Sequence, residues 1–550
     1  MMANINEKPM GHATEKPDHI MLSINGDARH TMAITWRTDM SVPEGYIEYR
    51  EENTDEIFRK DSENLVFKSD RDESYIHTAI ADGLKAGTKY FYTCGDDKNR
   101  SKEYFFTTEE ENLEKFTFVA ISDQQQGNFY QQDYSKIQKF LLAILEKHPE
   151  IKFIVTGGDN TDCGQHVVQW NGALKGMEGI MEYRPLMMTL GNHDNRGFKD
   201  YETGEGRYYA EPAEFFDTQF KMAYPYNGPE NWKTENYSFD YGNVHVCVMG
   251  INGPDEVGEW IKEDVGGSDK TWKIGTYHFP IYYSNPAGHN FDAFPWMREG
   301  VDMCDIMLAG HEHNFSRSFP IKNDAIFAKP SQGTIHYMLS NAGGGAPGCN
   351  SQQSIFHAAF YPQEIEGRPS FALFEVDGKK MKITSYLGLD DDIEADIIDQ
   401  VVIDKEKDEI QPFAMPPVYL ERHPRMVFKG MLAGLGGVDA CPEKKDGIWY
   451  APLSVVFQSV GAYVAKEEGK MTLGIYGKKV TFTEGSDIAV LESGEEVKLD
   501  APVYRGRRGL LYVPAFSASA IYGFRCVYVE HNNFMFWEHE EESIPLFEQP

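Results

Sequence analysis

FTFVAISD (residues 116–123) and KFIVTGGD (residues 152–159) are short apolar runs that each end in polar residues or glycine. Between them, apolar side chains follow the i, i+3, i+4, i+7 spacing of one helix face: Ile137, Phe140, Leu141 and Ile144. A strand, an amphipathic helix and a second strand in this order predict a β-α-β unit.

Four further runs predict strands in the same part of the chain: PLMMTL (185–190), VHVCVMG (244–250), WKIGTYH (272–278) and DIMLAG (305–310). We therefore expect residues 114–388 to form an α/β domain, with helices packed as layers against a largely β centre.

Polar residues follow five of these strands directly. In open α/β sheets the ligand crevice lies beyond the carboxyl ends of the strands, so the five segments should converge. They supply Asp123 and Gln125; Asp159 and Asp162; Asn192, His193 and Asp194; His278; and His311 and His313. Carboxylate, amide and imidazole donors suit Zn, Mn and Fe, and the pattern predicts a metal cluster. Taken singly, Asp159 could instead cap a helix, and His278 could be a core histidine.

Residues 17–109 have the pattern of a small all-β unit. Runs such as HIMLSI (19–24) and TMAITWRT (31–38) are separated by polar turns, which predicts a β-sandwich. The stretch LKAGTKYFYTCGDD (84–97) is similar to the last strands of a fibronectin type III-like module. No cluster of reactive residues occurs in this unit, and we expect it to pack against and position its neighbour.

The C-terminal part contains an internal repeat. Three residues recur at an offset of 512 − 450 = 62: Tyr450, Pro452 and Gly461 return as Tyr512, Pro514 and Gly523. Residues 440–540 resemble the small α+β domain named for the N-terminal region of copper amine oxidases. No His/Cys ligand cluster accompanies the resemblance, so it implies no copper. The acidic run GLDDDIEADIIDQ (388–400) predicts that residues 389–439 are a connector.

Composition excludes some functions. The chain has 550 residues, with 86 acidic against 53 basic side chains and a net charge of −33. Such an excess argues against binding to nucleic acid or to an anionic membrane surface. No apolar run is long enough to span a membrane, and the tail of residues 1–16 lacks the apolar core of a secretory signal. Seven cysteines without a CxxC pair give no support to a disulfide scaffold or zinc ribbon.

The five polar segments resemble those of the calcineurin-like metallophosphoesterases, specifically the purple acid phosphatase branch, which also has a fibronectin-like N-terminal domain. The resemblance extends over residues 17–388 and includes GHEHNFSRS (310–318) and LSNAGGGAPG (339–348). It implies a multidomain hydrolase with a binuclear centre of Fe, Mn or Zn. The implied ligands are Asp123, Asp159 and His313 for the first ion, and Asp159 as a bridge, Asn192, His278 and His311 for the second.

The resemblance also implies a reaction. Phosphate esters are anionic and repel nucleophiles, and two cations about 3.5–4 Å apart neutralise the phosphoryl oxygens and activate a water for in-line attack. His193 would contact the phosphoryl group or protonate the leaving oxygen. His289, in HFPIYYSNPAGH (278–289), looks similar to a second substrate-facing histidine.

Two positions depart from the family pattern. The superfamily usually has Asp-x-His in the first segment, whereas the purple acid phosphatase branch has a small residue in place of that histidine and a tyrosine three residues after the bridging aspartate. Here Gln125 and Asp162 occupy these positions. We hypothesise that Gln125, Asp162 or water completes the shell of the first ion, and that the site prefers Mn, Zn or Fe(II) to a tyrosinate-bound Fe(III). Asp162 could alternatively organise the loop without binding metal.

The sequence leaves several functions open. We expect hydrolysis of small-molecule phosphomonoesters, with phosphodiesters or nucleotides as the nearest alternatives. A surface or binding protein with a degenerate metal site is the alternative from another class. The combination of domains resembles that of secreted or cell-surface bacterial enzymes, which favours an extracellular location and a surface association through the C-terminal domain.

Overall fold

The structure is a computed structural model, and its description covers most of the chain in separate ranges. The described residues are 12–125, 133–196, 212–282, 284, 294–339, 342, 356–361, 368–389, 392–412, 424–428, 431–433, 441–459, 461–506, 509–529 and 534–539. They form two compact units: one contains the described residues up to 412, apart from 356–358, and the other contains the described residues from 424 onwards.

The first unit begins with the predicted β-sandwich. One sheet has the order β1-β2-β6-β5 and the other β4-β3-β7-β8. Their bounds are β1 Asp18–Ser23, β2 Met32–Asp39, β3 Tyr46–Glu51, β4 Phe58–Asp61, β5 Glu63–Lys68, β6 Glu73–Ala81, β7 Lys89–Gly95 and β8 Tyr104–Thr107. Alternate residues such as Ile34, Trp36, Ile47 and Tyr92 are almost fully buried in one core, because each strand turns one face inward.

A first central sheet follows, in the order β11-β10-β9-β20-β21-β22-β23. The strands are β9 Lys115–Ile121, β10 Ile151–Thr156, β11 Leu186–Met187, β20 Ser370–Asp377, β21 Lys380–Leu387, β22 Asp396–Asp404 and β23 Glu409–Pro412. Strands β9, β10 and β11 are parallel, and α1 (Ser135–Lys147) connects β9 to β10. The four apolar residues predicted for one helix face are all buried in α1, which confirms the β-α-β unit.

A second central sheet has the order β12-β13-β14-β15-β18-β16-β17. Its strands are β12 Tyr237–Tyr241, β13 Val244–Met249, β14 Trp272–Tyr277, β15 Ile306–Ala309, β16 Phe315–Lys322, β17 Ala325–Ile326 and β18 Thr334–Met338; β19 is His357–Tyr361. Strands β13, β14, β15 and β18 are parallel. We expected an α/β domain with helices packed as layers against a largely β centre in residues 114–388. The two central sheets and their helices confirm this fold class.

The other described helices of the first unit are short or amphipathic. They are α2 Val167–Gly176, α3 Asn192–Asn195, α4 Glu214–Phe220, α5 Pro254–Gly267 and α6 Phe294–Val301, with a 3-10 turn at Pro330–Gln332. Among the helices described here, none combines the length and the apolar character needed to cross a lipid bilayer.

The first central sheet continues beyond residue 388, where we expected a connector. Strands β22 and β23 lie within the predicted connector, residues 389–439. Strand β22 contains Ile398, Val401 and Ile403, which are buried. Asp399 is itself buried, because its carboxylate accepts hydrogen bonds from the guanidinium of Arg317. The end of the acidic run, from Asp396 onwards, is therefore part of a strand in the folded chain.

The second unit is β-rich and contains both copies of the repeat. Its strands are β24 Arg425–Phe428, β25 Met431–Ala433, β26 Glu443–Lys445, β27 Ile448–Ala451, β28 Tyr463–Glu467, β29 Lys470–Ile475, β30 Lys478–Thr483, β31 Ile488–Leu491, β32 Glu496–Lys498, β33 Tyr504–Arg505, β34 Leu511–Pro514, β35 Phe524–Val529 and β36 Phe534–His539. Each repeat copy is a strand followed by a helix, β27 with α7 (Leu453–Ser459) and β34 with α8 (Ala515–Tyr522), and the two strands pair antiparallel.

Candidate metal centre

The predicted ligands lie at the carboxyl ends of strands from both central sheets. Asp123 and Asp159 follow β9 and β10 of the first sheet, and His278 and His311 follow β14 and β15 of the second. Asp123, Asp159, His311 and His313 all have left-handed backbone angles, with φ between 53° and 76°. Non-glycine residues seldom adopt this conformation, and such strain clusters at functional sites.

Two glycines allow the segments to approach closely. A Cβ atom on Gly310 would lie 2.3 Å from Asp123 Oδ2, and one on Gly191 would lie 2.2 Å from Asp159 Oδ1. Both distances are far below van der Waals contact, so any larger residue at either position would displace a predicted ligand. The glycines of GNHD and GHEH therefore make room for the aspartates.

The first group of ligand atoms comes from Asp123, Asp159 and His313, and these atoms lie within 4.8 Å of one another. His313 Nε2 is 3.4 Å from Asp123 Oδ1, and all three side chains are buried. The backbone N–H of His311 donates to Asp123 Oδ1 at 2.8 Å. Asp123 Oδ2 is also buried and has no hydrogen-bond partner among the described residues. A buried carboxylate oxygen without a partner is costly unless a cation neutralises it.

The second group comes from Asp159, His278 and His311, again with ligand atoms within 4.8 Å of one another. Asn192 belongs with it, because its Oδ1 is 3.0 Å from both His278 Nε2 and His311 Nδ1. His278 Nε2 is also 3.2 Å from Asp159 Oδ2. The structure thus brings together all six side chains predicted as ligands, and Asp159 belongs to both groups.

The protonation of His278 indicates what this group is suited to bind. Its Nδ1 donates to the backbone oxygen of Gly157 at 2.8 Å, so in the neutral ring Nε2 carries a lone pair. That lone pair faces the oxygens of Asp159 and Asn192, and three acceptors face one another. Burial lowers the pKa of His278, but Asp159, Asp123 and the backbone oxygen of Gly157 together outweigh burial and raise the pKa to about 9. A proton satisfies the cluster in the absence of metal, and a metal cation satisfies it by replacing that proton. The donor set therefore fits divalent metal.

His193 is oriented by Asp162. His193 Nδ1 is 2.9 Å from Asp162 Oδ1 and 3.1 Å from the backbone oxygen of Asp162, so Nδ1 carries the hydrogen. Nε2 lies on the other side of the ring, 3.7 Å from Asp159 Oδ2. Arg196 also donates to Asp162 Oδ1, at 3.0 Å. Burial raises the pKa of Asp162, but His193 and Arg196 outweigh it, and the net shift is downward. This carboxylate orients a histidine and does not belong to either ligand group.

Asp194 was counted among the converging donors from the sequence, but in the structure it holds the loops together. Its two oxygens accept hydrogen bonds from the backbone N–H groups of Asn160, Thr161 and Gly191 at 2.8–3.2 Å. Burial, with Asp159 adding to it, raises the pKa of Asp194 to about 6. A signal was present in GNHD, because an acidic residue in the first turn after a glycine often satisfies N–H groups at a helix start.

Some predicted positions fall outside the description. His289 and most of NAGGGAPG lie outside the described residues. Ser284 contacts the loop that carries His311 and His313, because its backbone N–H donates to Glu312 Oε2 at 2.8 Å. Glu312 stands between His311 and His313, so the loop with two predicted ligands also holds Ser284.

Comparison with known proteins identifies two domains. Residues 17–108 match the family described as "Purple acid Phosphatase, N-terminal domain", and residues 116–315 match "Calcineurin-like phosphoesterase". The first match nearly coincides with the predicted sandwich, and the second includes all six predicted ligands and His193.

Relatives and solved structures agree with these matches. The chain is 23% identical to purple acid phosphatase 18 of Arabidopsis thaliana over 344 residues, covering 60% of this chain and 71% of the relative. It is 24% identical to Fe(3+)-Zn(2+) purple acid phosphatase 12 of the same plant, covering 59% and 69%. Two further plant purple acid phosphatases are matched over 50% and 54% of their length.

A solved purple acid phosphatase from seeds of yellow lupin (Lupinus luteus) has a similar fold. It superposes with a TM-score of 0.56 at 20% identity, covering 71% of this chain and 75% of that one. At this identity the likeness concerns the fold, and it confirms the predicted fold class.

Proposed function

We propose that this chain, which carries a purple acid phosphatase N-terminal domain ahead of a calcineurin-like phosphoesterase domain, hydrolyses phosphomonoesters at a centre of two metal ions. The two domains make the chain a metal-dependent hydrolase of phosphate esters. The number of ions and the substrate class are the proposal. The observation that carries it is the membership of Asp159 in both groups of ligand atoms.

A carboxylate suits the shared position, because its two oxygens can face two cations. Asp159 Oδ2 faces His278 Nε2 at 3.2 Å, and Asp159 Oδ1 accepts the backbone N–H of His193 at 2.9 Å. That backbone contact fixes the carboxylate between the two groups. Burial raises the pKa of Asp159, but His278 and His193 outweigh it and hold it well below its ordinary value, so the group is ionised.

The chain's own residues hold and orient the reactants. When bound, two cations would neutralise phosphoryl oxygens and lower the pKa of an attacking water. Asn192 contributes a neutral oxygen, which keeps the centre from being overloaded with negative charge. His193 presents Nε2 towards the centre with its ring held through Nδ1, so a ring protonated at both nitrogens can donate from Nε2 to a phosphoryl oxygen or pass that proton to the leaving oxygen. Phosphomonoesters are proposed as substrates because the relatives are named phosphatases.

The proposal is tested with Asp159→Asn. The amide removes one anionic oxygen from both groups at once, so we expect fewer bound ions and phosphatase activity at the background level. Metal content by mass spectrometry and phosphate release from an aryl monoester measure the two effects. Asp377→Asn, at an exposed carboxylate at the end of β20, is the matched control and should behave as wild type.

The substrates separate the alternatives. Faster hydrolysis of an aryl diester or a nucleotide than of the monoester would replace the proposed substrate class. Wild-type activity in Asp159→Asn would exclude the shared ligand. Full metal loading without turnover on any ester would favour a binding protein that keeps only the fold of an enzyme.

A further inference from the structure

We infer that the carboxamide oxygen of Gln125 is a ligand of the ion held by Asp123, Asp159 and His313, and that it shifts the selectivity of this ion site towards Mn²⁺ and away from Zn²⁺, relative to the same site with a histidine at position 125. The inference rests on the proposed two-ion centre and assigns a side chain to it. The sequence left Gln125, Asp162 or water open as the group that completes the shell of the first ion, and the surroundings of the two side chains differ.

The position of Gln125 is fixed by the loop that carries Asp159. Its backbone N–H donates to the backbone oxygen of Asp159 at 3.1 Å, and the residue is completely buried. The end of its side chain lies against two atoms of the first ligand group. Gln125 Nε2 is 3.1 Å from Asp159 Oδ2 and 3.2 Å from His313 Nε2.

These separations are those of ligands around one cation. Two donor atoms bound to the same ion at about 2.1 Å lie roughly 3.0–3.4 Å apart in octahedral or tetrahedral geometry. His313 Nε2 and Asp123 Oδ1, at 3.4 Å, fit the same range. The carboxamide of Gln125 therefore stands at a corner of the first group.

The carboxamide also has an unused acceptor. Gln125 Oε1 is buried and, within the described part of the chain, makes no hydrogen bond; the same holds for Asp123 Oδ2. A half-turn of the carboxamide exchanges nitrogen and oxygen, which have the same shape. With an ion present, Asp159 Oδ2 and His313 Nε2 would each donate an electron pair to it. In the Gln125 carboxamide only the oxygen can donate an electron pair, so the oxygen would face the ion.

Asp162 does not compete for this position. Its Oδ1 is engaged by His193 at 2.9 Å and by Arg196 at 3.0 Å. Its Oδ2 is buried and makes no hydrogen bond within the described residues, but Asp162 belongs to neither group of ligand atoms. Removing it from these contacts would leave a partly buried guanidinium without its carboxylate, which is costly.

The donor set determines the metal preference. With Gln125, the first site has oxygens from Asp123, Asp159 and Gln125 and one nitrogen from His313. The histidine usual at position 125 in the superfamily would give two nitrogens. Oxygen-rich sites suit Mn²⁺, whereas imidazole favours Zn²⁺. The tyrosine position of the purple acid phosphatase branch is occupied here by Asp162, so no phenolate adds negative charge to stabilise a trivalent ion.

The test compares Gln125→Leu, Gln125→Glu and Gln125→His with wild type in the full-length chain. Each protein is stripped with chelator and titrated with Mn²⁺ or Zn²⁺ by calorimetry, and bound ions are counted by mass spectrometry. We expect two ions in wild type. Gln125→Leu should weaken Mn²⁺ binding at one site by at least about 10-fold, Gln125→Glu should retain or tighten it, and Gln125→His should shift the preference towards Zn²⁺.

The glutamate variant separates a ligand from a hydrogen-bond donor. If Gln125 only donates its N–H to Asp159, Gln125→Glu cannot replace it and should lose Mn²⁺ as Gln125→Leu does, which would overturn the inference. Unchanged Mn²⁺ binding in Gln125→Leu would overturn it too. A wild type that binds a single ion at saturation would instead refute the proposed two-ion centre. Circular dichroism of the metal-free variants controls for folding.

Discussion

His193 shows how one residue acquires its role from its neighbours. Its ring is held at Nδ1 by Asp162, and Asp162 is in turn held by Arg196. The sequence predicted that His193 faces the substrate, but it gave two possible roles for Asp162. Only the folded chain brings residue 162 next to residue 193, because contact between two loops that follow different strands is not encoded by spacing.

Asp162→Asn tests this arrangement. The amide keeps the size of the side chain but loses the charge that pairs with Arg196 and orients His193. We expect kcat to fall about 10²-fold, at the lower end of the range for loss of general acid–base assistance, with both ions still bound. Steady-state kinetics and metal analysis measure the two effects.

The pair of residues provides the control. The variant His193→Ala has no imidazole ring for Asp162 to orient. The double variant His193→Ala/Asp162→Asn should therefore have a kcat only slightly below that of His193→Ala alone. A loss of metal in Asp162→Asn would assign Asp162 to the metal shell and contradict the orienting role.

At the level of elements, strand β22 joins the two central sheets through one ion pair. Asp399 on β22 accepts from Arg317 on β16 at 2.6 and 3.1 Å, and both side chains are buried. Burial disfavours the charge on Arg317, but Asp399 outweighs it and raises the pKa of the guanidinium. Residues 311–317 contain the predicted metal ligands His311 and His313 and end in Arg317. The ion pair between Asp399 and Arg317 therefore also anchors the loop that carries these two histidines.

The element scale also shows what the sequence could predict. Alternation and helical periodicity identified β9, α1 and β10, because each buries a face of its own. The same reasoning took residues 389–439 for a connector, because four aspartates and a glutamate precede Ile397. The partner of Asp399 is 82 residues away in the chain, and a local pattern contains no information about it.

Asp399→Asn should destabilise the first unit strongly. It leaves the guanidinium of Arg317 buried without a carboxylate, which typically costs about 3–5 kcal/mol. Urea unfolding followed by tryptophan fluorescence measures the free energy of unfolding. Asp61→Asn, which breaks the exposed pair with Arg59 on β4, is the control and should cost under about 1 kcal/mol. Equal effects of the two substitutions would mean that the buried pair does not hold the sheets together.

At the scale of the whole molecule, the net charge of −33 coexists with acids that are buried. Glu235 accepts hydrogen bonds from the backbone of Ala213 at 2.7 Å and from Asn252 at 2.8 Å. Burial, and then the nearby Asp217, raises the pKa of Glu235 to about 8, and burial raises that of Asp217 to about 7. Both acids are therefore protonated in the folded chain at pH 6 and ionise as the solution becomes alkaline.

The sign of the resulting pH dependence follows from proton linkage. The folded chain binds the proton of Glu235 more tightly than the unfolded chain does, so this stabilisation is complete below about pH 4.5 and is lost as the pH rises through about 8. Glu235→Gln removes the titration, and its single carboxamide oxygen can still accept the backbone N–H of Ala213, while a half-turn of the Asn252 carboxamide lets its oxygen accept from the glutamine NH₂. We expect the variant and the wild type to differ little at pH 6, and the variant to be more stable by at least about 2 kcal/mol at pH 9.

Thermal unfolding in chelator, recorded by calorimetry at pH 6 and pH 9, provides the comparison. Chelator removes the contribution of bound metal, whose affinity also depends on pH. Glu63→Gln, at an exposed glutamate on β5, should leave the difference between the two pH values as it is in wild type. If Glu235→Gln loses stability equally at both pH values, Glu235 is ionised in the folded chain and Asn252 is bound to a charge. If stability instead changes less between pH 6 and pH 9 in Glu235→Gln than in wild type, as we expect, that part of the wild-type pH dependence comes from this buried pair of acids.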